Sequence, residues 1–211
     1  MTDSRRHHHS DPVLAGAGTA IVPDDLYASR PPWDINRPQP AFVALSAAGD
    51  IQGRVLDVGC GTGEHTLMAS GLGLHATGVD LAAKALQTAR QKARDRGLTA
   101  RFLLHDARRL ADLGESFDTV LDCGLFHVFA GEDRDAFVAG LRAVVEPGGR
   151  YFMLGFSDWQ PGDTGPHRLT RSEILAAFAD GWRVDALDAA TIEVTTDAVG
   201  IAAWFLAVGR I

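Results

Sequence analysis

The sequence predicts an α/β protein with a doubly wound, mostly parallel sheet of seven strands. Short apolar runs alternate with segments whose apolar residues recur at helical spacing, the pattern of a parallel sheet covered by helices on both faces. A glycine-rich turn follows the first apolar run, and no helical segment separates the last two runs. We therefore expect one strand near the C-terminus to be antiparallel to the others.

The individual elements follow from these patterns. The predicted strands are Arg54 to Val58, Leu74 to Val79, Ala100 to Leu104, Phe117 to Leu121, Arg150 to Gly155, Trp182 to Thr191 and Gly200 to Val208. The predicted helices are Pro40 to Ala48, a segment from Ala82 to Ala93, one from Phe137 to Val145, and one that begins at Thr170. Gly49 is expected to end the first helix, and Thr170 with Glu173 has the spacing of a capping box.

Length and composition limit the function. The chain has 211 residues, 46% hydrophobic residues and a net charge of −7, so we expect a small-molecule partner rather than nucleic acid, which requires clustered basic residues. No stretch approaches the roughly 20 apolar residues of a membrane span, and no apolar run follows the basic N-terminus. Two cysteines without a spaced framework favour a reducing environment. We expect a cytoplasmic protein without membrane contact.

The chain is expected to contain one domain. Residues 1–23 show no sustained periodicity and are predicted to be a flexible arm, whose His7, His8 and His9 are interpreted as a solvated tail rather than a metal site. Residues 24–211 form the predicted domain. Residues 24–49, here called the lid segment, carry several prolines around Trp33, which favour an extended, stiff loop before the first helix.

The glycine-rich turn predicts the cofactor site. Gly59, Gly61 and Gly63 follow the first strand at alternate positions. The dinucleotide fingerprint GxGxxG meets Glu64 or Thr66 at its third glycine, which weakens the case for a pyrophosphate. Asp57 beside the glycines suits a cofactor without phosphates that carries an amino-acid group and a sulfonium cation. S-adenosylmethionine is such a cofactor.

Two further acids follow strands two and three. Asp80 ends the second strand, where a carboxylate accepts hydrogen bonds from ribose hydroxyls. Asp106 follows the third strand and suits the adenine amino group, while Ala107 leaves room for the ring. Each acid alone is equally well explained as a turn or helix cap.

These motifs resemble the class I S-adenosylmethionine-dependent methyltransferases. The resemblance rests on VLDVGCGTG, GVD, the HDA after strand three and the PGGR that enters strand five. It implies a Rossmann-like methyltransferase fold with the glycines under the cofactor and S-adenosylhomocysteine as product. The predicted cofactor residues are Asp57, Gly59, Cys60, Gly61, Gly63, Asp80, Leu81, Asp106, Ala107, Cys123 and Trp33.

The lid segment carries a second resemblance. PPWDINRPQP at positions 31 to 40 is similar to a segment of plant-type thiol and halide methyltransferases and of actinobacterial heterocyclic-toxin methyltransferases, where it covers cofactor and substrate. Trp33 offers a flat face to a sulfonium or an aromatic substrate. Asp34 and Arg37 are candidate latches, and Asn36 stands where those relatives often have glycine. A proline-rich strap with Trp33 as ordinary filler is the alternative.

The acceptor site is predicted in the loops after strands four and five. His127 is the candidate catalytic residue, either as a base or as a group that orients the nucleophile; the alternatives are a hydrogen bond to the backbone for His127 and a core role for the neighbouring aromatics. A similar GLFH loop occurs in the heterocyclic-toxin relatives. The predicted substrate residues are Trp33, Phe126, His127, Phe129, Trp159 and His167.

The leading functional hypothesis is methyl transfer to O, N or S of a small aromatic or heterocyclic molecule. In-line displacement at an activated methyl group chiefly requires positioning and exclusion of water, with no metal expected. A thiol or halide methyltransferase is the first alternative. A protein that binds the cofactor without transferring methyl and a nicotinamide dehydrogenase are the others. Oligomeric state is not predicted.

Overall fold

A computed structural model describes residues 23–162 and 165–211. The predicted N-terminal arm lies, apart from Pro23, outside the described residues, as do His7, His8 and His9. No helix in the described part is both long and apolar enough to cross a membrane.

The predicted seven-stranded sheet is confirmed. Its strands are β1 (Arg54–Val58), β2 (His75–Asp80), β3 (Arg101–Leu104), β4 (Phe117–Cys123), β5 (Val145–Phe156), β6 (Trp182–Ile192) and β7 (Ile201–Arg210). They lie in the order β3-β2-β1-β4-β5-β7-β6. The pairs from β3 to β5 are parallel, whereas β7 is antiparallel to both β5 and β6. β7 is therefore the expected antiparallel strand near the C-terminus.

The described residues also form five α-helices. They are α1 (Pro40–Ala48), α2 (Glu64–Gly71), α3 (Ala83–Asp95), α4 (Gly131–Val144) and α5 (Arg171–Ala177). Short 3-10 helices occur at Pro23–Tyr27, Ala107–Leu113 and Phe126–Val128. α1 ends as predicted because Gly49 takes the left-handed conformation, with φ of +76°. The capping box at α5 is also present: the Thr170 side chain accepts from the Glu173 amide, and the Glu173 carboxylate accepts from the Thr170 amide.

One predicted boundary is wrong. Val145 was expected on the apolar face of a helix, but α4 ends at Val144, and Val145 begins β5 with φ of −86° and ψ of 122°. Val145 pairs with Phe117, and the register shifts before Thr119 pairs with Arg150. The apolar pair Val144 and Val145 fits a helix and a strand equally well, and the irregular pairing across 146–149 is not visible in hydrophobic spacing.

The core lies on both faces of the sheet because neighbouring residues of the central strands point in opposite directions. Tyr151 and Met153 pack on one face with α4 and α5. Phe152 and Leu154 pack on the other face with Phe42 of α1. A third, smaller cluster joins α3 to β3 through Phe102. Because β1 to β5 are parallel, their carboxyl ends lie at one edge of the sheet, where the loops carrying the predicted site meet.

Candidate active site

The glycine turn after β1 adopts a conformation that suits glycine. Gly59, Gly61 and Gly63 have φ of +65°, +52° and +87°, which other residues adopt at a cost. A Cβ atom at Gly63 would lie 2.8 Å from the Cβ of Ala89 on α3. The three glycines therefore allow both the turn and the close approach of α3.

Asp57 supports this turn from inside the protein. Its side chain is buried, and Oδ2 accepts from the amide of Thr66 at 3.0 Å and from the Thr66 hydroxyl at 2.6 Å. Burial raises the pKa of Asp57 to about 7. The predicted cofactor residue Asp57 thus fixes the start of α2 relative to β1.

Asp80 faces the same turn from the end of β2. Oδ2 accepts from the Gly61 amide at 2.8 Å and Oδ1 from the Ala82 amide at 2.7 Å. Burial raises the pKa of Asp80 above its ordinary value. Each carboxylate oxygen has further lone pairs, so Asp80 can hold the turn and still accept from a ribose hydroxyl. Leu81 beside it is 46% exposed, a suitable apolar surface for an adenine ring.

Asp106 is bound mainly by a neighbouring arginine. The Arg108 guanidinium contacts both carboxylate oxygens, at 2.6 to 3.1 Å, and the Arg108 amide donates to Oδ1 at 2.9 Å. These bonds lower the pKa of Asp106. Asp133 on α4 binds the same guanidinium at 3.1 Å. Asp106 therefore caps its 3-10 helix, the role that sequence patterns left open.

The smaller predicted cofactor residues take different positions. Cys60 is buried in the cluster under α3, and its amide donates to the Val79 carbonyl at 3.0 Å. Ala107 is buried in the main core, and Cys123 at the end of β4 is partly buried. Both cysteines are free. The side chains of Cys60 and Ala107 are therefore enclosed by the core.

The lid segment lies over the glycine turn. Tyr27 is placed so that a Cβ at Gly61 would lie 2.7 Å from its hydroxyl oxygen. Burial, together with the nearby Asp80, raises the pKa of Tyr27. Trp33 itself is 39% exposed. Tyr27 was absent from the predicted site because no local motif marks it.

Polar contacts attach the lid segment to the body of the protein. The Thr62 hydroxyl donates to Asp34 Oδ2 at 3.0 Å, and Arg37 is paired with Glu193. The Gln39 side chain makes two hydrogen bonds with the backbone of Glu193, at 2.8 and 2.9 Å. Asp34 and Arg37 both occupy the latch positions expected of them.

His65 on α2 contacts the lid segment. Its Nε2 accepts from the Gln39 amide at 3.1 Å, and its ring lies 4.6 Å from that of Phe42. Burial lowers the pKa of His65 to about 4, so the ring is neutral at pH 7 and remains an acceptor.

A buried carboxylate fixes the loop after β4. Asp122 accepts from the amides of Leu125 and Phe126, at 2.8 and 3.1 Å, and from the Tyr151 hydroxyl at 2.8 Å. Burial raises the pKa of Asp122 to about 7. This network holds the turn that carries His127. The sequence analysis missed it because Tyr151 lies on a different strand.

His127 lies beneath this turn and is 5% exposed. Its Nδ1 accepts from the Phe156 amide at 3.1 Å, and its ring meets the Phe156 ring at 4.8 Å. A Cβ at Gly124 would lie 3.4 Å from Cε1 and 3.9 Å from Nε2, so that edge of the ring faces Gly124. Burial, and to a smaller extent His167, lowers the pKa of His127 to about 3.

Nδ1 uses its lone pair to accept the Phe156 N–H, so in the neutral ring the hydrogen is on Nε2. His127 thus presents a hydrogen-bond donor towards Gly124, and its backbone bond was one of the alternatives that the sequence left open.

The other predicted substrate residues separate into two groups. Phe126 is fully buried in the core, 5.6 Å from the ring of Phe178, and Phe129 packs 5.1 Å from Phe137. Trp159 is 54% exposed and lies 4.3 Å from Trp204. His167 is exposed, and its Nε2 is 2.7 Å from Glu173.

Phe126 therefore has the core role that sequence reasoning named as the alternative. Trp159 and His167 remain accessible on the loop after β5. Within residues 23–162 and 165–211, no group of three or more His, Cys, Asp or Glu side chains is arranged to hold a metal ion.

The sequence of this chain is similar to those of known methyltransferases. Residues 55–149 match the family model of the methyltransferase domain. A 2-heptyl-1-hydroxyquinolin-4(1H)-one methyltransferase of Mycobacteroides abscessus is 33% identical over 179 residues, which cover 83% of this chain and 78% of the relative. The chain therefore belongs to the S-adenosylmethionine-dependent methyltransferases, and S-adenosylmethionine is its cofactor.

Solved structures agree with this assignment. One, described as "Conversion of a Disulfide Bond into a Thioacetal Group during Echinomycin Biosynthesis", is 37% identical, has a TM-score of 0.81 and covers 89% of this chain and 91% of its own. The 1,6-didemethyltoxoflavin-N1-methyltransferase of Burkholderia thailandensis is 23% identical, has a TM-score of 0.64 and covers 81% of this chain and 76% of its own. The latter likeness concerns the fold alone.

The residues present fit the cofactor. The turn at Gly59 and Gly61 carries no side chains, Asp80 supplies acceptors for hydroxyl groups, and Leu81 supplies an exposed apolar surface. Beyond the turn, the neutral His127 offers a donor. The residues of the turn are thus compatible with an adenosyl group.

Proposed function

We propose that this methyltransferase acts on an oxygen, nitrogen or sulfur atom of a small aromatic or heterocyclic molecule. The observation that carries the proposal is the orientation of His127, whose Nδ1 is occupied by the Phe156 amide while its Nε2 edge faces Gly124. When bound, S-adenosylmethionine supplies a methyl group on a positively charged sulfur. Support also comes from the relative named for a hydroxyquinolinone substrate.

His127 orients the acceptor in this proposal. Because its Nε2 carries the hydrogen, His127 donates to the nucleophilic atom or to a neighbouring oxygen of the same molecule. The pKa of about 3 means that His127 does not take a proton near neutral pH. The acceptor must therefore arrive ionised or carry a free lone pair, as an acidic hydroxy-heteroaromatic does.

The lid segment excludes water and covers the acceptor. Asp34 accepts a hydrogen bond from Thr62, so the proline-rich loop lies against the glycine turn. Trp159 and His167, accessible on the loop after β5, are proposed to complete the wall opposite Trp33. Phe126, being fully buried, supports this wall from the core.

A thiol or halide methyltransferase is the second candidate, with a simple thiol or a halide ion in place of the ring-bearing acceptor. The solved structure at 37% identity concerns the conversion of a disulfide into a thioacetal. A thiolate also needs no general base, which agrees with a histidine that stays neutral.

The test is a panel of hydroxyquinolinones, phenols, simple thiols and iodide with isotopically labelled S-adenosylmethionine, followed by mass spectrometry. We expect labelled product from acidic hydroxy-heteroaromatics and much less from phenols of high pKa. Turnover of iodide or small thiols alone would favour the second candidate. Equal turnover of acidic and weakly acidic acceptors would contradict the proposed role of His127.

A further inference from the structure

Lys92 on α3 lies where three parts of the cofactor site meet. Its Nζ donates to the Thr62 hydroxyl at 2.9 Å and to Glu64 Oε1 at 2.8 Å, and lies 3.8 Å from Asp34 Oδ1. Its side chain is 15% exposed. One ammonium group therefore touches the lid segment, the glycine turn and the start of α2.

The hydrogen bonds run in one direction through Thr62. The Thr62 hydroxyl accepts from Lys92 and donates its own hydrogen to Asp34 Oδ2 at 3.0 Å. Thr62 lies between Gly61 and Gly63, so this chain links the lid segment directly to the turn under the cofactor. Charge-assisted hydrogen bonds with little solvent around them are stronger than exposed ion pairs.

The other charges do not duplicate Lys92. Arg96 binds both oxygens of Glu64 at 2.8 Å but has no contact with Asp34 among the described residues. Arg30 lies 4.0 Å from Asp34 and its side chain is 54% exposed, so solvent weakens that pair. Lys92 alone of these three cations reaches both Thr62 and Asp34.

We propose that Lys92 is a positioning residue that couples the lid segment to the glycine turn under the cofactor. Cofactor bound against the turn stabilises Thr62 where its hydroxyl bonds both Lys92 and Asp34, and the lid segment is thereby held in place. By reciprocity, a closed lid segment raises the affinity for cofactor. The inference rests on the lid role proposed above, but it does not depend on which molecule accepts the methyl group.

The chain provides a matched control. Lys84 and Lys92 are its two lysines, and both lie on α3. Lys84 is exposed, and its amide, not its side chain, is bound by Asp24. Lys84→Met therefore removes the same charge from the same helix without touching Thr62 or Asp34.

The experiment compares Lys92→Met with Lys84→Met by calorimetry with S-adenosylhomocysteine and by hydrogen exchange of the peptide that covers residues 31–39. We expect Lys92→Met to weaken binding about fivefold or more. Cofactor-induced protection of 31–39 should be lost, while protection of β1 and α3 remains. We expect Lys84→Met to match the wild type in both measurements.

Thr62→Val gives a second test if Lys92→Met does not fold, because it removes only the hydroxyl. It should reproduce both losses, and the double variant should be no worse than the weaker-binding single variant, since both changes break one chain of bonds. Lys92→Met that behaves like Lys84→Met would overturn the proposal. So would weaker binding with full protection of 31–39. An inactive acceptor panel would instead count against the proposed acceptor and leave this result unaffected.

Discussion

The cofactor half and the acceptor half of the site are built in different ways. Around the glycine turn, carboxylates and backbone amides meet within one or two neighbouring loops, as Asp80 does with Gly61 and Ala82. Around His127, aromatic rings dominate, and the polar groups are buried and hydrogen-bonded to the neighbouring strand β5, as Asp122 is to Tyr151. The first half is designed for one fixed ligand, whereas the second can vary its wall without altering the fold.

The strongest effect on cofactor binding should distinguish Asp80 from Asp106. Asp80→Ala removes acceptors for the ribose and frees the amides of Gly61 and Ala82, so S-adenosylhomocysteine should bind about 1 to 3 kcal/mol more weakly in calorimetry. Asp106→Ala should cost less, because Arg108 already occupies both of its oxygens. Equal losses from the two substitutions would show that Asp106 contributes as much as Asp80.

A second substitution should impair the acceptor half of the site alone. Tyr151→Phe removes the hydroxyl that donates to the buried Asp122 and should lower the free energy of unfolding by about 1 to 2 kcal/mol in urea denaturation. Turnover should fall because the turn carrying His127 loses support, while calorimetric affinity for S-adenosylhomocysteine stays close to that of the wild type. A comparable loss of cofactor affinity would mean that the two halves are not separate.

The smallest effect is expected in the lid segment, between the two halves of the site. Asn36 has φ of +58°, and its amide donates to Asp34 Oδ1 at 3.1 Å. Asn36→Ala should lower the free energy of unfolding by about 1 kcal/mol, because alanine tolerates the left-handed conformation poorly. Asn36→Gly, which removes the side chain without that cost, serves as the control. Identical thermal unfolding of the two variants would contradict the argument from backbone conformation.

The same contrast explains what the sequence could predict. The seven strands, the antiparallel strand near the C-terminus and the capping box at Thr170 follow from hydrophobic period and local turn chemistry, which act over a few residues. The glycine turn and Asp80 were recognised because each stands directly after a strand. Asn36, where relatives often carry glycine, takes the left-handed conformation that glycine would take.

The features that were missed depend on distant pairing. Gln39 binds the backbone of Glu193, 154 positions away. Lys92 on α3 reaches Thr62, 30 positions earlier in the chain, and no local motif marks that contact. Phe126 sits in a loop that looks suited to ligand contact, yet the packing of α4 and α5 encloses it. Burial of a loop aromatic is decided by tertiary packing rather than by its neighbours in sequence.

The dependence of kcat/KM on pH, measured with two hydroxy-heteroaromatic acceptors of different acidity, shows whether His127 orients the acceptor or acts as a general base. The pKa of His127 is about 3, so the histidine stays neutral over the whole range and ionisation of the acceptor should control the rate. The midpoint of the profile should follow the pKa of each acceptor and persist, at lower rate, in His127→Asn. A midpoint that is the same for both acceptors and disappears in His127→Asn would instead identify His127 as a general base.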